Sequence, residues 1–254
     1  MKHTSIIIVL VSLSLALFGC QPAQNTNTSQ APNSNSNVTA SNAKWDAYVE
    51  QFLTDYFTAN PTVGVYQGRH EFDGKFPDWS ADGLNKEITR LKSEREKASA
   101  FKDDQLDDRQ RFERDYLIAQ IDKDLFWRET ADQPHINPYY YADSIDPDVY
   151  VSRNYAPLET RIKAYTTYAK NVPAALEQIK GNLRPPLAMN LIKIGRQTIG
   201  GLADFYDKDV IGVFAPVTDQ QAQTDFKAAN AAASKAVRDF DAWLGSQEAT
   251  ATNN

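Results

Sequence analysis

The sequence has few of the side chains that bind transition metals or act as thiol nucleophiles. Its 254 residues include one cysteine, Cys20, and three histidines. A single thiol excludes a disulfide framework and a cysteine-rich zinc site. Only two histidines, His70 and His135, follow Cys20, and a zinc site needs at least three protein ligands. We therefore expect no metal centre and no cofactor built from this chain alone.

The sequence also lacks a basic block and the common nucleotide and hydrolase motifs. Its 27 Lys and Arg are outnumbered by 33 Asp and Glu, for a net charge of −6, and the basic residues are spread along the chain. Nucleic acid is therefore not an expected partner, because binding it requires clustered cations. No Gly-x-Gly-x-x-Gly, phosphate loop or Gly-x-Ser-x-Gly elbow occurs either.

No apolar run is long enough to span a membrane. Lys2 precedes an apolar run at residues 6–18, which is shorter than the roughly 20 residues that a spanning helix needs. This pattern predicts a signal peptide over residues 1–19. The segment "LFGCQ" that ends it resembles the lipobox of bacterial lipoproteins, which predicts lipidation of Cys20 and anchoring in the cell envelope. Gln21, in place of an aspartate, favours the outer membrane, with the protein facing the periplasm.

Composition divides the rest of the chain into three parts. Residues 20–43 are almost all Asn, Ser, Thr, Gln, Ala and Pro without any charge, which predicts a disordered tether from lipidated Cys20. Residues 44–245 carry helical periodicity and form the expected helical domain. The polar residues 246–254 are expected to be a disordered tail.

The apolar periodicity of residues 44–245 is helical nearly throughout. Trp45, Val49, Phe52 and Tyr56 share one helical face, after a cap at Ser41 or Asn42 and before the break at Asn60-Pro61. Ser80 can cap a second helix. A third helix between Asp104 and Glu129 is expected to bury one face, made of Phe112, Tyr116, Leu117, Ile121 and Leu125. Further helices are expected from Pro157, Leu187 and about Thr218. Because no strand pattern occurs, the fold class is all-α, a multi-helix bundle with long ordered loops.

Two loops hold the candidate functional residues. "YQGRHEFDGKFPDWS" brings His70, Glu71, Asp73 and Asp78 together, but Gly74 stands where His-Glu-x-x-His would place its second histidine. A turn with hydrogen-bonded aspartates is favoured over a paired-carboxylate hydrolase site. The second loop, residues 131–156, has five tyrosines, and packing is a more common role for them than lining a ligand cleft.

Three segments carry a resemblance to a known family. "NPTVGVYQGRHEFDGKFPDWSADGL", "SRNYAPLETRIKAYTTYAKNVPAALEQIKGNLRPP" and "IGRQTIGGL" resemble, in this order, the N-terminal half of the bacterial family called domain of unknown function 885. Members are similar to helical zinc metallopeptidases of the gluzincin type, and many are exported lipoproteins. In the family, a His-Glu-x-x-Pro-Gly-His-like helix of the C-terminal half holds the zinc. Here no histidine follows Asn190.

The resemblance implies that this chain supplies one wall of a peptidase cleft and no catalytic residue. The candidate residues for the rim of this cleft are His70, Asp73, Asp78, Tyr140 and Arg153. We expect a truncated member that is inactive alone, whose partners are the membrane, a peptide substrate or the missing C-terminal half. The alternative is a non-enzymatic envelope lipoprotein that binds a peptide or another protein.

Overall fold

A computed structural model describes residues 41–252, and this part of the chain contains helices and no β-strand. The all-α prediction is therefore confirmed. The predicted signal peptide, the lipidated Cys20 and nearly all of the predicted tether lie outside the described residues. The α-helices are α1 Ala43–Ala59, α2 Pro61–Tyr66, α3 Ala81–Ala100, α4 Asp108–Leu125, α5 Gln133–Ile136, α6 Ala142–Ile145, α7 Asp148–Ser152, α8 Leu158–Asn182, α9 Met189–Gly195, α10 Leu202–Asp207, α11 Asp209–Phe214 and α12 Gln220–Ser246.

Short non-α helical turns join several of these helices. π-Helical turns extend α4 and α9, and single 3₁₀ turns connect other elements or follow α12. The π turns are Phe126–Thr130 and Arg196–Gly200, and the 3₁₀ turns are His70–Phe72, Asp103–Gln105, Pro138–Tyr141 and Gln247–Thr250.

Side-chain caps set the start of α1 and α3. The Asn42 side chain accepts a hydrogen bond from the Lys44 backbone N–H at 2.9 Å, and Ser80 Oγ accepts one from Gly83 at 3.0 Å. Ser80 was predicted as a cap and Asn42 was one of two predicted alternatives, and each satisfies a backbone donor that has no partner within the helix. The first helix ends at Ala59, immediately before the predicted break at Asn60-Pro61.

The main hydrophobic core lies between the two longest helices, α8 and α12. Tyr165 and Val172 of α8 and Phe226 and Val237 of α12 are almost fully buried. Two smaller clusters connect α1 to α3 and α4, one around Trp45 and one that contains Phe52, Leu91 and Ile121. The predicted face of α1 is confirmed, because Trp45 and Phe52 are buried in these clusters and Val49 and Tyr56 pack against them.

The buried face predicted for α4 is wrong in part. Ile121 is 1% exposed, but Phe112 is 71% and Tyr116 is 47% exposed. Helical residues advance by about 100° each, so Phe112 and Ile121, nine positions apart, lie on opposite sides of the helix. The two exposed aromatic rings stack on each other at 6.2 Å.

The C-terminal end is ordered as far as Thr252, which corrects the expected disordered tail. After the 3₁₀ turn Gln247–Thr250, the Thr252 backbone donates to Leu187 O and accepts from Met189 N, each at 2.9 Å. These backbone bonds fix a polar segment that has little apolar surface to bury. Among residues 41–252, no helix has both the length and the apolar character needed to cross a membrane.

Candidate functional site

The loop that contains His70 is fixed at Gly74. This glycine has a φ of +78°, a conformation that disfavours side chains. Its N–H donates to the Tyr150 hydroxyl at 3.0 Å, and its carbonyl accepts from the Asn171 side chain at 2.9 Å. The loop is thus held between the tyrosine-rich segment and α8, as an ordered turn.

His70, Asp73 and Tyr155 form a compact group in this loop. His70 Nδ1 lies 3.1 Å from Asp73 Oδ1, and the Tyr155 ring stacks on the imidazole with centroids 3.7 Å apart. Burial raises the pKa of the Asp73 carboxyl, and the hydrogen bond from His70 opposes part of this increase. Nδ1 and one face of the imidazole are therefore occupied by neighbours within the chain.

The Tyr155 hydroxyl in this group is unusual. It is buried and has no hydrogen-bond partner among the described residues. Burial is the main cause that raises the pKa of Tyr155, and the negative charge of Asp73 adds to it. Tyr155 therefore remains a neutral phenol in this environment, where its ring provides the main contact.

The structure places the other predicted rim residues in separate surroundings. Arg153 lies over the Tyr66 ring at 5.2 Å and donates to the Tyr66 carbonyl at 2.6 Å. Asp78 is exposed and accepts from the Ser80 backbone at 3.0 Å, in the turn before α3. Tyr140 is half-buried and packs edge-on against its neighbour Tyr141. Of the five predicted residues, only His70 and Asp73 are in direct contact with each other.

Arg161 positions the segment that carries Tyr150 and Tyr155, and sequence reasoning assigned it no role. It is 4% exposed, although it is a cation. Its guanidinium donates to the backbone carbonyls of Tyr150 and Val151 near the end of α7, and to Asn154 Oδ1. The sequence did contain a signal that Arg161 is buried, because it lies four residues before Tyr165 and therefore on the same, buried face of α8.

His135, the second histidine of the described chain, lies in a different site. Its Nδ1 is 2.5 Å from Asp132 Oδ1, and Asp132 Oδ2 is 3.5 Å from Arg184 Nη1. Asp132 has a φ of +49°, and the Arg184 backbone N–H donates to the His135 carbonyl at 2.9 Å. His135 and Arg184 border a cavity of about 100 Å³, which is also lined by Ala81, Leu84, Asn85, Ile88, Arg128 and Pro134.

The two histidines do not share a site. His70 pairs with Asp73 and His135 pairs with Asp132, each partner being three residues away. Within residues 41–252, no group of three or more His, Cys, Asp or Glu side chains has an arrangement that could hold a metal ion.

Comparison with known proteins identifies the family. A solved structure of a candidate lipoprotein of unknown function from Shewanella oneidensis is 20% identical, with a TM-score of 0.73. The alignment covers 82% of this chain and 38% of that chain, so this chain spans well under half of that protein's length. A search of curated proteins finds no match. The model of the family "bacterial protein of unknown function (DUF885)" matches residues 61–254, and the chain therefore belongs to the DUF885 family.

Proposed function

We propose that this protein is an exported lipoprotein that is acylated at Cys20, sits in the outer membrane and faces the periplasm. In this proposal, its helical domain forms one wall of a zinc-peptidase-like cleft and does not hold the zinc itself. The lipobox-like segment "LFGCQ" supports the anchor, and the resemblance to gluzincin-type peptidases supports the cleft.

The separation of the two histidines is the observation that carries the proposal. A catalytic zinc needs three protein ligands and an open position for water. His70 and His135 each pair with a single aspartate, and no third ligand completes either site among residues 41–252. The residues of this wall do not fit a zinc ion, so we assign them substrate positioning and no part in activating water.

The length of the solved relative supports a role as one part of a larger architecture. The same fold occupies 38% of the Shewanella chain, so it occurs there within a longer protein. We propose that zinc ligands, where the family has them, come from a second segment that faces this wall. The wall would then bind a peptide and the second segment would cleave it.

Two experiments test this proposal. If Cys20 is acylated, Cys20→Ser should move the protein from the membrane fraction to the soluble fraction and remove the acyl mass from its N-terminal peptide. For the cleft, the purified chain should cleave no member of a peptide panel, with or without added zinc. Zinc-dependent cleavage by this chain alone would refute the wall assignment, and equal fractionation of both forms would refute the anchor.

The exposed aromatic side chains favour a second candidate, a non-enzymatic lipoprotein that binds a peptide or another protein. Phe112 and Tyr116 stack on the exposed side of α4, and Phe126 and Trp127 pair edge-on at 5.1 Å in the following π turn. Exposed aromatic clusters often mark binding surfaces. Micromolar peptide binding that Trp127→Ser weakens tenfold, without any hydrolysis, would favour this candidate.

A further inference from the structure

We infer that the cavity beside His135 is a binding site for a small carboxylate. Arg128 approaches it from the π turn after α4, His135 from α5, and Arg184 from the turn after α8. Its volume of about 100 Å³ is well above the roughly 10–15 Å³ that a single water molecule needs. That space suits a carboxylate group with a short alkyl substituent.

The charges around the cavity leave one cation without a partner. Asp132 is occupied by His135 at 2.5 Å and by Arg184 at 3.5 Å. Arg128 is half-buried, and within residues 41–252 its side chain forms no salt bridge and no hydrogen bond. Its guanidinium lies 5.9 Å from the centroid of the Tyr140 ring. A partly desolvated arginine without a counter-ion is a favourable place for an anion.

Three acidic side chains near Arg128 pair with other cations, and the first, Asp124, lies four positions earlier and 3.6 Å from Lys123 Nζ. Glu87 binds Arg90 through both carboxylate oxygens, at 2.7 and 2.8 Å. Glu129, the next residue in the π turn, pairs with Lys92 at 2.7 Å. The cavity lining therefore holds two arginines and one histidine and no carboxylate, while Asp132, outside the lining, pairs with His135 and Arg184.

Two departures from regular backbone geometry set the positions of the cavity residues. Arg128 belongs to the π-helical turn Phe126–Thr130, and Asp132 adopts a left-handed conformation at φ +49°. Such features cost conformational energy and are enriched at functional sites. Here they fall within five residues of each other and immediately before His135.

The lining also indicates which anion fits. It combines apolar side chains, Leu84, Ile88 and Pro134, with polar ones, Asn85, His135 and the two arginines. A guanidinium matches a planar carboxylate with two parallel hydrogen bonds, and the apolar side chains would cover an alkyl group. A phosphate would leave polar oxygens against the apolar side chains. The ligand class is therefore an alkyl carboxylate, for which isobutyrate is a suitable probe.

Calorimetric titration of the full chain in detergent micelles tests the site. We expect isobutyrate to bind, and isobutyramide and inorganic phosphate to bind at least tenfold more weakly, since each lacks either the charge or the apolar part. Equal affinity for isobutyrate and isobutyramide would refute an anion site. Phosphate binding as tight as isobutyrate would refute the carboxylate assignment.

Matched variants connect the binding to the cavity. Arg128→Gln and Arg184→Gln should each weaken isobutyrate binding at least tenfold, while Arg128→Lys should have a smaller effect because it keeps the charge. Arg95→Gln is the control, since it removes the same charge from an exposed pair with Asp122. Unchanged affinity in both glutamine variants would overturn the inference.

The test of the carboxylate site remains possible even if one of the two glutamine variants does not fold. Arg184 has a side chain that is 66% exposed, so Arg184→Gln should fold even if Arg128→Gln does not. Lipid anchoring at Cys20 and carboxylate binding can also be disproved separately, because one depends on acylation and the other on two arginines.

Discussion

Replacing Arg161 with methionine should loosen the segment that packs over the His70 loop. The Arg161 guanidinium makes four hydrogen bonds, at 3.0, 2.9 and 2.5 Å to the carbonyls of Tyr150 and Val151 and at 2.8 Å to Asn154. Methionine would keep most of the buried aliphatic stem, so the change mainly removes these bonds and leaves buried carbonyl oxygens without donors.

Two destabilising contributions and one stabilising contribution set the size of the effect. A hydrogen bond from a charged group contributes roughly 1.5–3 kcal/mol, and leaving a buried acceptor without a partner costs about 1–3 kcal/mol. Removing a buried charge recovers part of its desolvation cost. For Arg161→Met we therefore expect the free energy of unfolding to fall by about 3 kcal/mol.

Urea unfolding, followed by circular dichroism, measures this change. Arg95→Met is the matched control, because the exposed Arg95–Asp122 pair should contribute at most about 1 kcal/mol. In the Arg161 variant, the NMR signals of His70 should also lose the ring-current shift that comes from the stacked Tyr155 ring. A loss below about 1 kcal/mol with unchanged His70 signals would show that Arg161 does not hold this segment.

Three further predictions concern the same region. In urea unfolding, Gly74→Ala should lower the free energy of unfolding by at least about 2 kcal/mol more than Gly68→Ala. Both glycines have a positive φ, but only a Cβ at Gly74 would lie against another residue, 2.5 Å from the Thr167 side chain. Equal losses of stability in the two variants would contradict this. Tyr155→Phe should raise the free energy of unfolding by about 1 kcal/mol, because the buried hydroxyl has no hydrogen-bond partner among the described residues. A loss of stability would show that the hydroxyl does have a partner. Burial raises the pKa of Asp146, so this carboxyl binds more protons in the folded state than in the unfolded state above about pH 3.9, and its contribution to stability falls as pH rises through that window. Asp146→Asn should remove this slope and stabilise the protein at neutral pH, which unfolding curves between pH 3 and 7 would check.

Local signals in the sequence were sufficient for much of the fold. Asn42 and Ser80 could be predicted as caps because capping depends on residues within three positions. The burial of Ile121 and the exposure of Phe112 could not both be assigned from apolar character alone. Several aromatic residues share α4, and the neighbouring helices α1 and α3 decide which of its sides is buried.

The candidate sites were less accessible to sequence reasoning because they join distant segments. The contact between His70 and Asp73 is local and could be predicted, but Tyr155 reaches this pair from 85 positions along the chain. The cavity beside His135 likewise depends on Arg184, which the helix α8 brings back to the 131–136 segment. Pairings of this kind become visible only when the helices are packed.

Zinc content is the most direct test of the claim that this chain is a wall without its own metal centre. The full chain, purified without an affinity tag and dialysed against micromolar zinc, should retain far less than one zinc per chain by elemental analysis, because His70 and His135 lie in separate sites. Retention of one zinc per chain that His70→Asn or His135→Asn abolishes would contradict the account.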